Sequence, residues 1–226
     1  MLAAVTTVST VALKTFSLFQ GLPEELLARV ALVAGMRRYG RGQRVFSAGA
    51  DGDDYVYFVL TGSVKVVVSG EGGREAILSL LGRGTVFGEL AMFGSQPRSA
   101  SVYAAEAADL VQIPVLEFRR LMEEDFELAW RVMCLLADRL READRKIESL
   151  ALRDVHARVL ELLHELSQPD ENGRVEAVRI TKQDMARMVG ASREMVSRVM
   201  RELVRDGVVV EQREGIVLQE GHVKTD

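Results

Sequence analysis

The sequence predicts an α+β protein with a β-rich N-terminal domain, a long central helix and a small helical C-terminal domain. Three observations support this prediction. Before residue 125, glycines separate short runs that are rich in Val, Tyr, Phe and Ile. Between Asp125 and Leu152 there is neither glycine nor proline, and further on two short helical patterns flank Gly190. Glycine-separated β runs are typical of antiparallel sheets, and a long segment without glycine or proline is typical of a helix.

The composition excludes several classes of protein. Of the 226 residues, 48% are hydrophobic and 27% are charged, which is typical of a folded globular chain and not of a disordered one. The single cysteine, Cys134, excludes an internal disulfide, and with only three histidines we expect no metal site. The net charge of -4 excludes a uniformly basic surface but not a local basic face. No nucleophile–base pair stands out, so we expect no enzymatic activity.

No targeting or membrane signal is evident. The segment Met1–Leu13 is apolar and rich in threonine, but no basic residue precedes it and no cleavage pattern follows it. The apolar run Tyr55–Leu60 has six residues, whereas about 20 are needed to span a bilayer. We therefore expect a cytoplasmic protein that has no membrane partner.

The N-terminal half combines one helix with several short strands. Pro23–Gly35 predicts a helix, and Glu24 and Glu25 suit its positive N-terminal end. Short β runs with turn residues every 8–12 positions or so predict an antiparallel sandwich or barrel. The runs are Tyr55–Leu60, Ser63–Ser69, Glu75–Leu80 and Ser99–Ala104.

The central segment has the apolar spacing of a coiled coil. Apolar residues recur at steps of three and four, while polar residues fill the outer positions. Two interpretations follow: a homodimer interface, or an amphipathic helix packed on its own domain. The narrow stripe of two residues per heptad favours the homodimer. The stripe consists of Met133, Leu136, Leu140, Ala143, Ile147 and Leu150.

The C-terminal part predicts a helix-turn-helix. Thr181 and Asp184 form a capping pair at the start of a first helix, Gly190 ends that helix, and Ser192 caps a second one. The second helix directs Val196, Val199, Met200 and Leu203 inward. The segments Asp154–Leu166, Gln168–Gly173 and Val175–Ile180 predict a preceding helix, a turn cluster and a strand, and Gly207–Leu218 predicts a following hairpin, or wing.

The outer face of the second helix is suited to reading DNA. Arginine can donate two hydrogen bonds to guanine, and glutamate can accept one from cytosine. Residues 181–206 contain six basic and four acidic residues, so this segment is positive on an acidic chain. A solvated charged face is the alternative interpretation. The outer residues are Arg193, Glu194, Ser197, Arg198 and Arg201.

Two sets of motifs resemble one family. Phe87-Gly-Glu-Leu-Ala91 with Arg98-Ser-Ala100 resembles the phosphate-binding cassette of cyclic-nucleotide domains. Together with Gly49…Tyr55…Gly62-Ser-Val and Val189-Gly-Ala-Ser-Arg-Glu194, it makes residues 17 to 218 similar to the cAMP receptor protein/FNR family of bacterial transcription regulators. The resemblance implies a β-roll (double-stranded jelly-roll) cyclic-nucleotide-binding domain at 17–124, a dimerisation helix at 125–152 and a winged helix-turn-helix DNA-binding domain at 153–222.

The resemblance also implies an effector site. Arg98 would hold the cyclic phosphate together with Ser99 and the amide of Ala100, and Glu89 would accept from the ribose 2′-hydroxyl. Gly88 would let the backbone approach closely. The cassette further includes Leu90 and Ala91. The alternative is an internal ion pair between Glu89 and Arg98 beside an empty, vestigial pocket, in a DNA-binding regulator that needs no ligand.

The base end of the effector departs from the family pattern. In the cAMP receptor two hydroxyl residues on the dimer helix hold the base, whereas this chain has Ala143 and Asp144 there. Asp144 can accept from the adenine amino group or from the two adjacent donors of guanine, or it can face solvent. The first expectation for the effector is cAMP, with cyclic di-GMP or cGMP as alternatives. This sequence lacks the cysteine-rich segment of the family's iron–sulfur sensors and the β-domain histidine of its haem sensors. Both of these sensing modes are therefore disfavoured.

The DNA site implied by the resemblance is an inverted repeat. Arg193, Glu194 and Arg198 match the base-reading trio of the cAMP receptor, which implies TGTGA-like half-sites. Thr181, Lys182 and Ser192 would contact phosphates instead. The resemblance names RNA polymerase as a further partner, but the contacting loop aligns with a shortened turn, Asp170–Arg174, so activation does not carry over.

Overall fold

The structure is a computed structural model that describes residues 6–50, 55–94, 96–167, 178–213 and 215–219. It divides into two compact units, residues 1–139 and 140–226. The boundary falls within one long helix, so each unit is described by itself.

The first unit is built on two antiparallel sheets. One sheet has the strand order β1-β2-β9-β4-β7 and the other β3-β8-β5-β6. The strands are β1 (Thr6–Thr7), β2 (Gly35–Tyr39), β3 (Arg44–Phe46), β4 (Tyr55–Thr61), β5 (Val64–Ser69), β6 (Glu75–Leu81), β7 (Val86–Phe87), β8 (Ser101–Ala104) and β9 (Ala108–Pro114). The four predicted strands are therefore confirmed, within two residues at their ends, as parts of a β-sandwich.

Strand β4 shows why its sequence is continuously apolar. Tyr57 and Val59 lie in the cluster that fills the space between the sheets, whereas Val56 and Phe58 lie in a second cluster with the helices. A strand that is buried on both faces loses the usual alternation of apolar and polar residues. This strand also brings the backbone of Tyr55 to the functional site.

Helices cover one face of the first sheet. They are α1 (Thr10–Leu13), α2 (Glu24–Val33), α3 (Val115–Glu124) and the first part of α4 (Phe126–Leu152). From α4, Leu128 and Val132 are fully buried in the helical cluster, and Leu135 and Leu136 pack against it. Packing on its own domain therefore accounts for one stripe of α4.

The predicted heptad stripe of α4 is only partly covered by that packing. Leu140 and Ile147 are each 65% exposed, and Met133 and Leu150 are also exposed. Leucine and isoleucine side chains are rarely left in water in a contiguous row, since their burial is favourable. The exposed row therefore requires an explanation beyond the fold of the single chain.

The second unit has its own core. It contains α5 (Val155–Leu166), α6 (Lys182–Val189), α7 (Arg193–Arg205), β10 (Val209–Gln212) and β11 (Gly215–Leu218). Strands β10 and β11 form an antiparallel hairpin, which confirms the predicted wing. Of the predicted strand Val175–Ile180, Val178 forms a bridge to Ile216, and residues 175–177 lie outside the described residues, as does the turn cluster Gln168–Gly173.

Candidate functional site

A left-handed turn forms the centre of the cassette. Gly88 has a φ of +77° and joins β7 to the 3₁₀ turn Glu89–Met92. A Cβ at this position would lie 2.9 Å from Nη1 of Arg98, 3.2 Å from the carbonyl oxygen of Tyr55 and 3.3 Å from the ring of Tyr57. Both the backbone angle and the lack of space therefore require glycine here.

Arg98 is fixed against this turn. Its guanidinium donates from Nη1 to the carbonyl oxygen of Gly88 and from Nη2 to that of Tyr55, each at 2.7 Å. The group also lies 4.3 Å from the ring centre of Phe46, which is within cation–π range. With 9% of its surface exposed, Arg98 is a buried cation held in one orientation.

Glu89 lies beside it with a different partner. Its carboxylate is 1% exposed and accepts through Oε1 from Nη1 of Arg139, at 2.7 Å. Arg139 also donates to the carbonyl oxygen of Val86. Among the described residues Oε2 of Glu89 has no hydrogen-bond donor, and a buried acceptor without a donor is costly. The carboxylate can therefore take one more hydrogen bond from a ligand.

Sequence reasoning missed Arg139. In the alternative with an empty pocket Glu89 pairs with Arg98, but the arginine that forms an ion pair with Glu89 is Arg139 on α4. The available signal was spacing: Leu128, Val132 and Leu135 follow steps of four and three on the covered stripe of α4, and Arg139 is the next residue of that stripe. A residue at this position faces the core of its own domain.

The other cassette residues differ in exposure. Leu90 and Ser99 are exposed, Ala91 is half-buried and Ala100 is buried. Ala143 and Asp144 are both exposed on α4, in the second compact unit. The structure thus brings Gly88, Glu89 and Arg98 together, and the candidate base-holding residues are on a solvent-facing surface.

The helix-turn-helix has the predicted caps. Oγ1 of Thr181 accepts from the amide of Asp184 at 3.0 Å, and Oγ of Ser192 accepts from the amide of Met195 at 3.1 Å. Gly190, with a φ of +63°, ends α6 in the left-handed region. The four apolar residues predicted to face inward are buried: Val196, Val199, Met200 and Leu203.

The outer face of α7 is open. Arg193, Glu194 and Arg198 are exposed, and Ser197 is half-buried. The pKa of Glu194 is lowered, first by a hydrogen bond from its own backbone amide and then by one from the Ser192 side chain. Its carboxylate is therefore ionised at neutral pH and acts only as an acceptor, as a contact to cytosine N4 requires.

The three candidate phosphate-binding residues already have intramolecular contacts. Thr181 and Ser192 use their hydroxyl oxygens as caps, and Nζ of Lys182 lies 2.9 Å from Oε1 of Glu211 on the wing.

The aligned polymerase-contacting turn, Asp170–Arg174, lies outside the described residues.

The described ranges contain neither a helix suited to span a membrane nor a group of side chains suited to hold a metal ion. No helix there combines the length and the apolarity needed to cross a membrane. No group of three or more His, Cys, Asp or Glu residues in the same ranges is arranged to hold a metal ion.

Both halves of the chain match known domain families. Residues 36–125 match the cyclic nucleotide-binding domain, and residues 157–221 match the Crp-like helix-turn-helix domain. The cAMP-activated global transcriptional regulator Vfr of Pseudomonas aeruginosa is 37% identical over 76% of this chain and 84% of its own length. The cyclic AMP receptor protein of Thermus thermophilus is 35% identical over 92% of this chain and 97% of its own length.

A solved structure agrees with these sequence matches. That of the c-di-GMP responsive global regulator CLP of Xanthomonas campestris has a TM-score of 0.74 and 27% identity, over 88% of this chain and all of that one. The two domain matches, in this order, and relatives that align along most of the chain lead to one assignment. The protein belongs to the cAMP receptor protein/FNR family, as a transcription regulator with a cyclic nucleotide-binding domain and a helix-turn-helix DNA-binding domain.

Proposed function

We propose that the protein is a homodimer whose affinity for DNA is set by a cyclic nucleotide bound at the Gly88–Ala100 cassette. The observation that supports this most strongly is the pairing of a fixed, buried Arg98 with a buried Glu89 that has one acceptor oxygen to spare. A cyclic nucleotide offers an anionic phosphate and a hydroxyl donor a few ångströms apart. These two groups complement the arginine and the carboxylate.

The phosphate end of the ligand would be held by charge and by backbone. Arg98 is held in one orientation by carbonyl groups, and its positive charge would act on a phosphate. The hydroxyl of Ser99 and the amide of Ala100 would add neutral donors, and Gly88 leaves the space that the Arg98 guanidinium occupies against the turn. We propose roles for Leu90 and Ala91 only as parts of this turn.

The exposed row on α4 supports the homodimer. Phe126 lies seven residues before Met133, so the positions occupied by Met133, Leu140 and Ile147 extend back to the start of the helix. All four side chains are exposed in the single chain. A second copy would present the same row, and a parallel coiled coil would bury both rows against each other.

The heptad register supports a link between the two subunits at the effector site. Arg139 precedes Leu140 and occupies position g, whereas Asp144 occupies position e. In a parallel pair, residues at g of one helix flank those at e of the next heptad on the other. We therefore propose that the partner subunit's Asp144 lies beside Arg139, and that it contacts the base while the neighbouring Ala143 leaves room for it.

The effector is proposed from the family and from what Asp144 can accept. Membership of the cAMP receptor protein family makes cAMP the first proposal. Cyclic di-GMP and cGMP are the alternatives, because guanine offers Asp144 two adjacent donors whereas the adenine amino group offers one donor edge. Relatives named for cAMP and for c-di-GMP both occur. Isothermal titration with the three nucleotides tests the proposal, and one of them should bind with a single site per subunit.

One observation favours a regulator that needs no ligand. Arg139 already neutralises Glu89, so the pocket is stabilised without an effector. If all three nucleotides fail to bind and the apo protein binds its operator fully, this second function replaces the first.

The operator is expected to contain TGTGA-like half-sites in an inverted repeat, with centres about 34 Å apart. Replacing Arg198 with alanine should cost roughly 1–3 kcal/mol on that operator, because the bidentate contact to guanine is lost, and should relax the preference at that base pair. Fluorescence anisotropy on operators with single substitutions measures both effects.

The matched control is Arg205→Ala. Arg205 lies in the last turn of the same helix and pairs with Asp206, so its loss should leave the base preference unchanged. Selection from random duplexes provides an independent check. Sites without guanine in both half-sites, or an unchanged preference in Arg198→Ala, would contradict the assignment.

A further inference from the structure

We propose that Glu211 on the wing restrains Lys182 and thereby lowers the affinity of this protein for every duplex, whatever its sequence. The proposal rests on the DNA-binding function above. It assigns a role in setting affinity to an acidic residue that no base or effector contact requires.

Backbone pairing brings the segment before α6 and the strand that carries Glu211 to the two sides of β11. Val178 and Ile216 exchange two hydrogen bonds, of 2.7 and 3.0 Å, which tie strand β11 to the residues just before α6. Glu211 is directly paired with Ile216 across the hairpin, and Lys182 is the first residue of α6. The main-chain pairing thus keeps the two side chains close enough to form the ion pair.

The ion pair lies in a basic depression of the surface. A cavity of about 270 Å³ is lined by Arg179, Lys182 and Arg213, together with Glu211. Three positive charges around a concave surface suit an anion, and the Glu211 carboxylate is an anion that Lys182 contacts, at 2.9 Å. Glu211 therefore acts as an internal substitute for the phosphate.

Glu211 and a DNA phosphate therefore compete for Lys182. With side chains 36% and 43% exposed, the pair between Lys182 and Glu211 is screened by water and can be exchanged for another anion. A DNA phosphate must first displace the carboxylate, and this cost is the same for specific and non-specific sequences. Lys182 therefore contributes less to the affinity for DNA than a lysine without an acidic partner would.

The test is a double-mutant cycle on the full-length protein. Wild type, Glu211→Gln, Lys182→Gln and the double variant are titrated by anisotropy against an inverted TGTGA repeat and against a scrambled duplex, with and without cAMP. Glu211→Gln should raise the affinity for both duplexes by the same factor, roughly two- to fivefold, as for one exposed ion pair. The gain in affinity should shrink as the salt concentration is raised, because screening weakens the ion pair between Lys182 and Glu211 in the free wild type.

The double variant decides the mechanism. In the Lys182→Gln background the gain from Glu211→Gln should disappear, because the restrained partner is gone. A gain that persists there would show that Glu211 only repels phosphate directly, and a gain confined to the TGTGA repeat would show base reading. Either result overturns the proposal.

Two controls separate this proposal from the function on which it rests. Asp206→Asn removes the same charge at the end of α7, where the acid pairs with Arg205, and should leave both affinities and the salt dependence unchanged. If the wild type binds neither duplex under any condition, the proposed DNA-binding function fails. If the wild type binds and the coupling is absent, only the role of Glu211 fails.

Discussion

Replacing Leu140 with glutamate is expected to give a monomer whose affinity for a two-half-site operator is lower by a factor of about 10²–10⁴. Leu140 is 65% exposed at the centre of the apolar row on α4. In a parallel coiled coil its counterpart on the other helix would face it, so the variant would place two carboxylates together in the interface. Sedimentation measures the assembly and anisotropy the affinity.

A matched control comes from the same helix. Leu152 is exposed but lies outside the heptad row, so Leu152→Glu should leave both the assembly and the operator affinity unchanged. A single half-site duplex should bind the Leu140 variant and the wild type about equally. A wild type that sediments as a monomer at micromolar concentration, or a dimeric Leu140→Glu variant, would contradict the homodimer.

Replacing Arg98 with alanine is expected to weaken cyclic-nucleotide binding by about 2–5 kcal/mol, because a buried phosphate would lose its charged partner. That corresponds to a change in Kd of about 30-fold to several thousandfold. The variant should also be less stable, since the carbonyl groups of Gly88 and Tyr55 would lose their donors in a buried region. Isothermal titration and thermal unfolding measure the two effects separately.

Two further variants keep this prediction independent of folding. Ser99 is exposed, so Ser99→Ala should keep the stability of the wild type and lose only one neutral hydrogen bond to the ligand. The charge control is Arg83→Ala, which removes an exposed arginine of the same unit and should leave the nucleotide affinity unchanged. Nucleotide affinity that is unchanged in a folded Arg98→Ala protein would remove Arg98 from the site.

The features predicted from sequence are those that local patterns determine. The caps at Thr181 and Ser192 and the left-handed Gly190 depend on neighbours within four residues, and each is confirmed. The segment from Asp125 to Leu152, which has neither glycine nor proline, forms a helix whose limits agree with that prediction to within one residue. Local hydrogen bonding and periodicity leave little freedom in these segments.

The contacts that sequence reasoning missed join distant parts of the chain. Arg139 is 50 residues from Glu89, and Lys182 meets Glu211 only because the wing is paired to Val178. The acidic and basic residues of a sequence could form many different ion pairs. The sheet and helix packing selects one, and residue type alone does not reveal it.

The central claim is that effector and DNA are linked. The Kd of the operator is measured with and without a saturating cyclic nucleotide, and the Kd of the nucleotide with and without operator. Both should change by the same factor, roughly 5- to 150-fold, since coupling between two sites is reciprocal. An operator affinity that none of cAMP, cGMP and cyclic di-GMP changes would contradict the claim.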